Sequence, residues 1–82
     1  VPLNGVRVQV DPENVVYIEE AKATDYREVL ELLQAEKTKN KDITDLDLEL
    51  DPESTHEMRV MVIDAATQAG FTRVRNKIVP YN

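Results

Sequence analysis

Three groups of residues have types and spacings that invite a chemical reading. Ser54 and His56 are the only serine and the only histidine in the chain. A hydroxyl beside an imidazole supports nucleophilic catalysis when the base is aimed at the hydroxyl proton. Two residues one apart at a helix start point in different directions, so this pair reads as a cap and an exposed histidine. Asp51, Glu53, His56 and Glu57 place carboxylates beside the same imidazole, a divalent-cation set by residue type, but the central glycine of a calcium loop is absent. Asp45, Asp47 and Glu49 form the third group. Acid–base work by paired carboxylates needs unlike environments, whereas these three recur at every second residue and share one wet face. Met58 and Met61 read as core fillers. These groups lead us to expect no catalytic residue, no metal ligand and no cofactor.

The chain that must position them is short. Its 82 residues allow one domain spanning 1–82, with a formal net charge of −6. A domain of this size buries only about 60–65% of its unfolded surface. Without cysteine there is neither a disulfide nor a thiolate cage, so the apolar core must suffice, and the redox compartment stays unread. Gly5 and Gly70 are too few for a phosphate-cradling loop. The acidic balance argues against nucleic acid, which is gripped through Lys and Arg. No run approaches the ~18 apolar residues of a membrane span. The opening Val1-Pro2-Leu3-Asn4, without Met, suggests a piece of something longer.

Hydrophobic periodicity supplies the elements. Val6-Arg7-Val8-Gln9-Val10 alternates as a half-buried strand does. Asp11-Pro12-Glu13-Asn14 is a turn, and Val15-Val16-Tyr17-Ile18 a second strand completing a hairpin. Tyr26, Val29, Leu30 and Leu33 make one stripe of a helix that Thr24 or Asp25 can cap. The pattern fades over Glu36–Asp42, which reads as a frayed end and a solvated loop. Thr44-Asp45-Leu46-Asp47-Leu48-Glu49-Leu50 alternates strictly, leucines one way and acids the other, until Pro52. Ser54 with Glu57 has the form of a capping box. The helix behind it carries Met58, Met61, Val62, Ala65, Ala66 and Ala69 on one side and ends at Gly70 and Phe71.

Arg73 to Val79 is the last strand, with Arg73, Arg75 and Lys77 on one face and Pro80 as its stop. The expected class is α+β: a two-layer sandwich, β-β-α-β-α-β, with two helices on one face of a mixed sheet of about four strands. The strand of leucines and the last strand would run parallel, as in any βαβ unit. The acids 45, 47 and 49 would then lie beside the basic residues 73, 75 and 77 on the open face.

Leu48-Glu49-Leu50-Asp51-Pro52, Val60-Met61-Val62-Ile63-Asp64-Ala65-Ala66 and Gln68-Ala69-Gly70-Phe71-Thr72-Arg73-Val74, in that order and spacing, resemble the C-terminal periplasmic domain of the ExbD/TolR family. Val8–Val10 and Val15–Ile18 fit that domain's opening hairpin, and Tyr26–Leu33 its first helix. His56 stands where the family often has Tyr, Arg59 where it has an apolar residue, and Glu19-Glu20 where it has small turn residues. The resemblance implies a non-enzymatic periplasmic domain of a bacterial inner-membrane complex driven by proton flow. It implies a homodimer, an ExbB/TolQ-like channel reached through an N-terminal membrane helix that this sequence does not include, a TonB- or TolA-like transducer, and peptidoglycan as a further ligand. The implied contact is strand pairing at a sheet edge, for which Arg75, Asn76, Lys77, Ile78 and Val79 are the candidates. The alternative is a standalone cytosolic α+β adaptor that binds a protein partner; a small-molecule or hydrolytic domain ranks third, for want of convergent polar groups.

Overall fold

The computed structural model describes residues 5–81; the opening Val1-Pro2-Leu3-Asn4 lies outside them. The described residues form β1 (Gly5–Val10), β2 (Val16–Ile18), β3 (Ala21–Ala23), α1 (Tyr26–Lys39), β4 (Asp45–Leu50), α2 (His56–Ala69) and β5 (Arg73–Ile78). The strands make one mixed sheet in the order β3-β2-β1-β4-β5. β1 pairs parallel with β4 and β4 parallel with β5, while β2 and β3 continue from β1 antiparallel. The α+β sandwich expected from the sequence is present, with five strands rather than four.

The additional strand is β3. Glu19-Glu20 turns the chain straight back, with Glu19 at φ +55°. That left-handed conformation is normally announced by Gly or Asn, and two glutamates give no such signal. The Glu19 amide donates to the Arg7 carbonyl, and a Glu19 carboxylate oxygen accepts the Arg7 amide at 3.1 Å. Hydrogen bonds to Arg7 on the neighbouring strand therefore hold a turn that propensity alone does not favour.

The core lies between the sheet and the two helices. Val6, Val8 and Val10 of β1 and Leu46, Leu48 and Leu50 of β4 are buried side by side, because the β1–β4 register pairs Val6 with Leu46, Val8 with Leu48 and Val10 with Leu50. Val29 and Leu33 of α1 and Val62, Ala65 and Ala66 of α2 cover them. Ala65 and Ala66 place small, fully buried side chains at the centre of α2. Burying a leucine side chain of this kind contributes roughly 1.5–3 kcal/mol, and three on one strand dominate so small a domain.

Asp25, one of the two residues expected to cap α1, is its cap, whereas the start of α2 corrects the sequence reading. α2 begins one residue later than the Ser54 box implies: Thr55 is its cap and accepts the Met58 amide at 3.3 Å. Ser54 is engaged elsewhere, its amide and its hydroxyl both donating to the Asp51 carbonyl. The reciprocal arrangement occurs at α1 instead, where Asp25 accepts the Glu28 amide at 2.8 Å and the Glu28 carboxylate accepts the Thr24 amide at 3.0 Å. α1 also runs to Lys39, through residues read as frayed, because Lys37 donates to the Ile43 carbonyl and lies over the Phe71 ring. Gly70 ends α2 at φ +103°, as its position after the alanines foretold.

On the open face the β4–β5 register sets Asp45 beside Arg73, Asp47 beside Arg75 and Glu49 beside Lys77. Arg75 reaches Asp47 at 2.8 Å and Asp45 at 3.5 Å, and Arg73 reaches Asp45 at 3.8 Å. Glu49 turns the other way, to Arg7 of β1 at 3.1 Å and to Gln9 at 3.3 Å.

Arg75→Glu is expected to lower stability and Asp47→Arg to restore part of the loss. A double-mutant cycle by urea denaturation should show a coupling of roughly 0.2–1 kcal/mol; zero coupling would mean the pair contributes nothing to register. Thr55→Ala should cost about 1 kcal/mol.

Candidate functional site

β5 is an edge strand, and the ladder identifies which of its groups are free. The Arg73 and Val79 amides donate inward to the Thr44 and Leu50 carbonyls, at 3.2 and 2.8 Å. In a parallel ladder, alternate residues face opposite neighbours. Val74, Asn76 and Ile78 therefore turn their N–H and C=O groups away from β4, and among the described residues nothing pairs with them. The next outward position is Pro80, which has no N–H to offer. Of the sequence candidates Arg75, Asn76, Lys77, Ile78 and Val79, the backbones of Asn76 and Ile78 thus face outward; Arg75, Lys77 and Val79 hold the strand to β4. Val74 belongs with the outward set, although the sequence reading left it out; the parity of the ladder adds it.

The two faces of this edge differ chemically. Arg73, Arg75 and Lys77 project on the open face, and Lys77 makes no salt bridge among the described residues. On the helix face Val74 is half-buried and Ile78 is 65% exposed. A cavity of about 310 Å³ opens beside Ile78, lined by Leu50, Pro52, His56 and Arg59 among others. The Arg59 Nε is buried there without a hydrogen-bond partner.

Of the residues read for catalysis or metal binding, Asp51, Glu53, Ser54, His56 and Glu57 lie at this end of the molecule, with Asp51 and Ser54 engaged by backbone groups. The Ser54 hydroxyl donates to the Asp51 carbonyl at 2.7 Å, so its proton is not presented to an imidazole. His56 is exposed in the first turn of α2. One Asp51 carboxylate oxygen accepts the Glu53 amide and the other the Tyr81 amide, both at 2.8 Å. Among the described residues no group of three His, Cys, Asp or Glu converges as metal ligands would. Asp45, Asp47 and Glu49 are occupied by the cross-strand pairs described above.

One feature of this end escaped the sequence reading. Asp-Pro-Glu occurs twice, at Asp11–Glu13 and Asp51–Glu53, directly after the paired ends of β1 and β4. Asp11 accepts the Glu13 and Val15 amides, both at 2.9 Å, and the Tyr17 hydroxyl at 3.2 Å. The Asn14 side chain, at φ +64°, accepts the Thr55 amide and ties the first turn to the start of α2. Tyr17 and Tyr81 stack with centroids 5.1 Å apart, joining the two turns. The repeated tripeptide was the available signal.

Burial, reinforced by the hydrogen bond to Asp11 and its negative charge, raises the Tyr17 phenol above its ordinary value. Burial beside Asp64 does the same for Tyr26.

Comparison with protein-family models and with curated protein sequences returns no match.

The folded state holds the Tyr17 proton more tightly than the unfolded chain does. Its contribution to stability is thus complete below about pH 10 and is lost as pH rises further. Urea midpoints should fall above that pH, and Tyr17→Phe should make the fall shallower; an unchanged slope would contradict the assignment. At the edge, Arg75→Pro removes an inward ladder bond and should cost at least about 1–3 kcal/mol. Asn76→Pro removes only an outward N–H and should cost clearly less in the same denaturation assay.

Proposed function

We propose that this chain is a non-enzymatic coupling domain of the ExbD/TolR type, which takes an extended segment of a partner onto the outer edge of β5. What carries the reading is the open edge: six residues long, at the end of a sheet whose other face is roofed by helices. Unpaired edge amides and carbonyls are a template for a further strand, and β-augmentation is a recurrent mode of peptide capture. Proteins commonly guard such edges, and the guards here are partial, three charges on one face and Pro80 at one end. The order β-hairpin, helix, strand, helix, strand and the glycine-terminated second helix are consistent with the family resemblance.

In this reading the domain works in the periplasm, tethered to the inner membrane by a preceding helix that meets an ExbB/TolQ-like channel. It passes force to a TonB- or TolA-like transducer through backbone pairing. Edge pairing suits that task because the ladder bonds are loaded along the strand and release without rearranging the core. A homodimer, held by whichever surface, and contact with peptidoglycan belong to the same proposal.

The encoded sequence upstream of Val1 tests it directly. An apolar segment of about 20 residues carrying an acidic side chain is expected there. A translation start immediately before Val1 would overturn the proposal and favour the protein-binding adaptor.

A further inference from the structure

Resting on the reading of β5 as a capture edge, we infer that its partner is an extended segment alternating acidic and apolar side chains, contributed by a different protein rather than by a second copy of this chain.

The first argument is the neighbour that β5 already has. β4 places Asp45, Asp47 and Glu49 beside Arg73, Arg75 and Lys77, and Leu46, Leu48 and Leu50 beside Val74, Asn76 and Ile78. A strand added to the outer edge meets the same two rows from the other side. On the open face it meets cations that remain accessible, with the Arg73 and Arg75 side chains 72% and 45% exposed despite their bridges to β4. On the helix face it meets the half-buried Val74, the exposed Ile78 and the cavity beside it, whose lining includes Leu50 and Pro52. Carboxylates at alternate positions suit the first face, and apolar side chains suit the second. Four of the ten Lys and Arg residues of an acidic chain border this one edge: Arg59, Arg73, Arg75 and Lys77. Charge of that sign raises the encounter rate with an acidic segment and holds off basic ones.

The second argument weighs against self-pairing. Two copies of β5 can pair antiparallel about a two-fold only if the axis is normal to the sheet. Such an axis keeps the two open faces on the same side. The register centred on Arg75 then sets Arg73 against Lys77 and Arg75 against itself, and the register centred on Asn76 sets Arg75 against Lys77. Like charges directly opposed across strands destabilise the pair. Antiparallel self-pairing of β5 is therefore disfavoured relative to pairing with an acidic segment.

The test titrates isotope-labelled domain with a peptide of this chain's own β4 sequence, Thr44–Leu50, which carries the required alternation. Two variants of the peptide replace its three acids by Thr or by Lys. Hydrogen exchange at the Val74, Asn76 and Ile78 amides reports pairing at the outer edge. The acidic peptide should protect these amides and bind at least about tenfold more tightly than the Lys peptide. Its affinity should fall several-fold as salt rises from about 50 to about 500 mM. Lys77→Glu, at an exposed position without an ion pair, should weaken it; Asn76→Pro should abolish it in a domain whose fold is verified by its remaining amide spectrum. Equal protection by the Thr peptide would overturn the charge rule and leave the capture edge standing. Failure of every peptide to protect the three amides would overturn both. Protection that rises with the concentration of the domain alone would show self-pairing and overturn the inference.

Discussion

The structure depends on the strict alternation of β4. Its leucines lie on one side and its acids on the other, so a single strand supplies the centre of the core and the register of both neighbours. Leu46, Leu48 and Leu50 lie against the valines of β1 within the sheet and against the helices above it. Because side chains alternate with period two, slipping β4 by one residue would turn three leucines to water and three carboxylates into the core. Such a penalty makes the register nearly unconditional. The charge pairs then add a second, weaker specification on the wet face, where Asp45 takes Arg73 and Arg75, Asp47 takes Arg75 and Glu49 takes Arg7.

That asymmetry shapes the outer edge. A strand held by leucines on one face and by carboxylates on the other selects a neighbour with cations at alternate positions, and β5 is that neighbour. As the last strand, it carries the same alternation to the boundary of the molecule. The edge is therefore chemically biased, and the bias descends from the core. On the opposite boundary β3 is only three residues long, too short to template much pairing. The proposal of capture at β5 rather than β3 rests on length as much as on charge.

The ends of the parallel strands show how a small domain without disulfides secures its loops. Asp11 and Asp51 are both buried at the C-terminal ends of β1 and β4, each accepting amides of its own turn. Stacked Tyr17 and Tyr81 and the Asn14–Thr55 bond connect the turns to each other and to α2. Carboxylates and a serine–histidine pair gathered at one end of a sheet resemble chemistry in a list of residues. In three dimensions the Asp11 and Asp51 carboxylates and the Ser54 hydroxyl are already taken by backbone groups, and an occupied carboxylate has little left for a metal or a substrate.

The sequence by itself determined the α+β class, both helices, the long strands, the leucine face and the match of acids to bases across β4 and β5. Each is written in a local period or in residue types that have one low-energy use. Tertiary structure decided what local patterns leave open. It made Glu19-Glu20 a turn through bonds to Arg7, a residue distant in sequence, and so created β3. It moved the α2 cap to Thr55, because Ser54 found a better acceptor in Asp51. It also chose which alternate residues of β5 face outward: the direction in which Asn76 and Ile78 offer their backbone depends on which side of β5 the partner β4 lies, and no pattern within β5 encodes that.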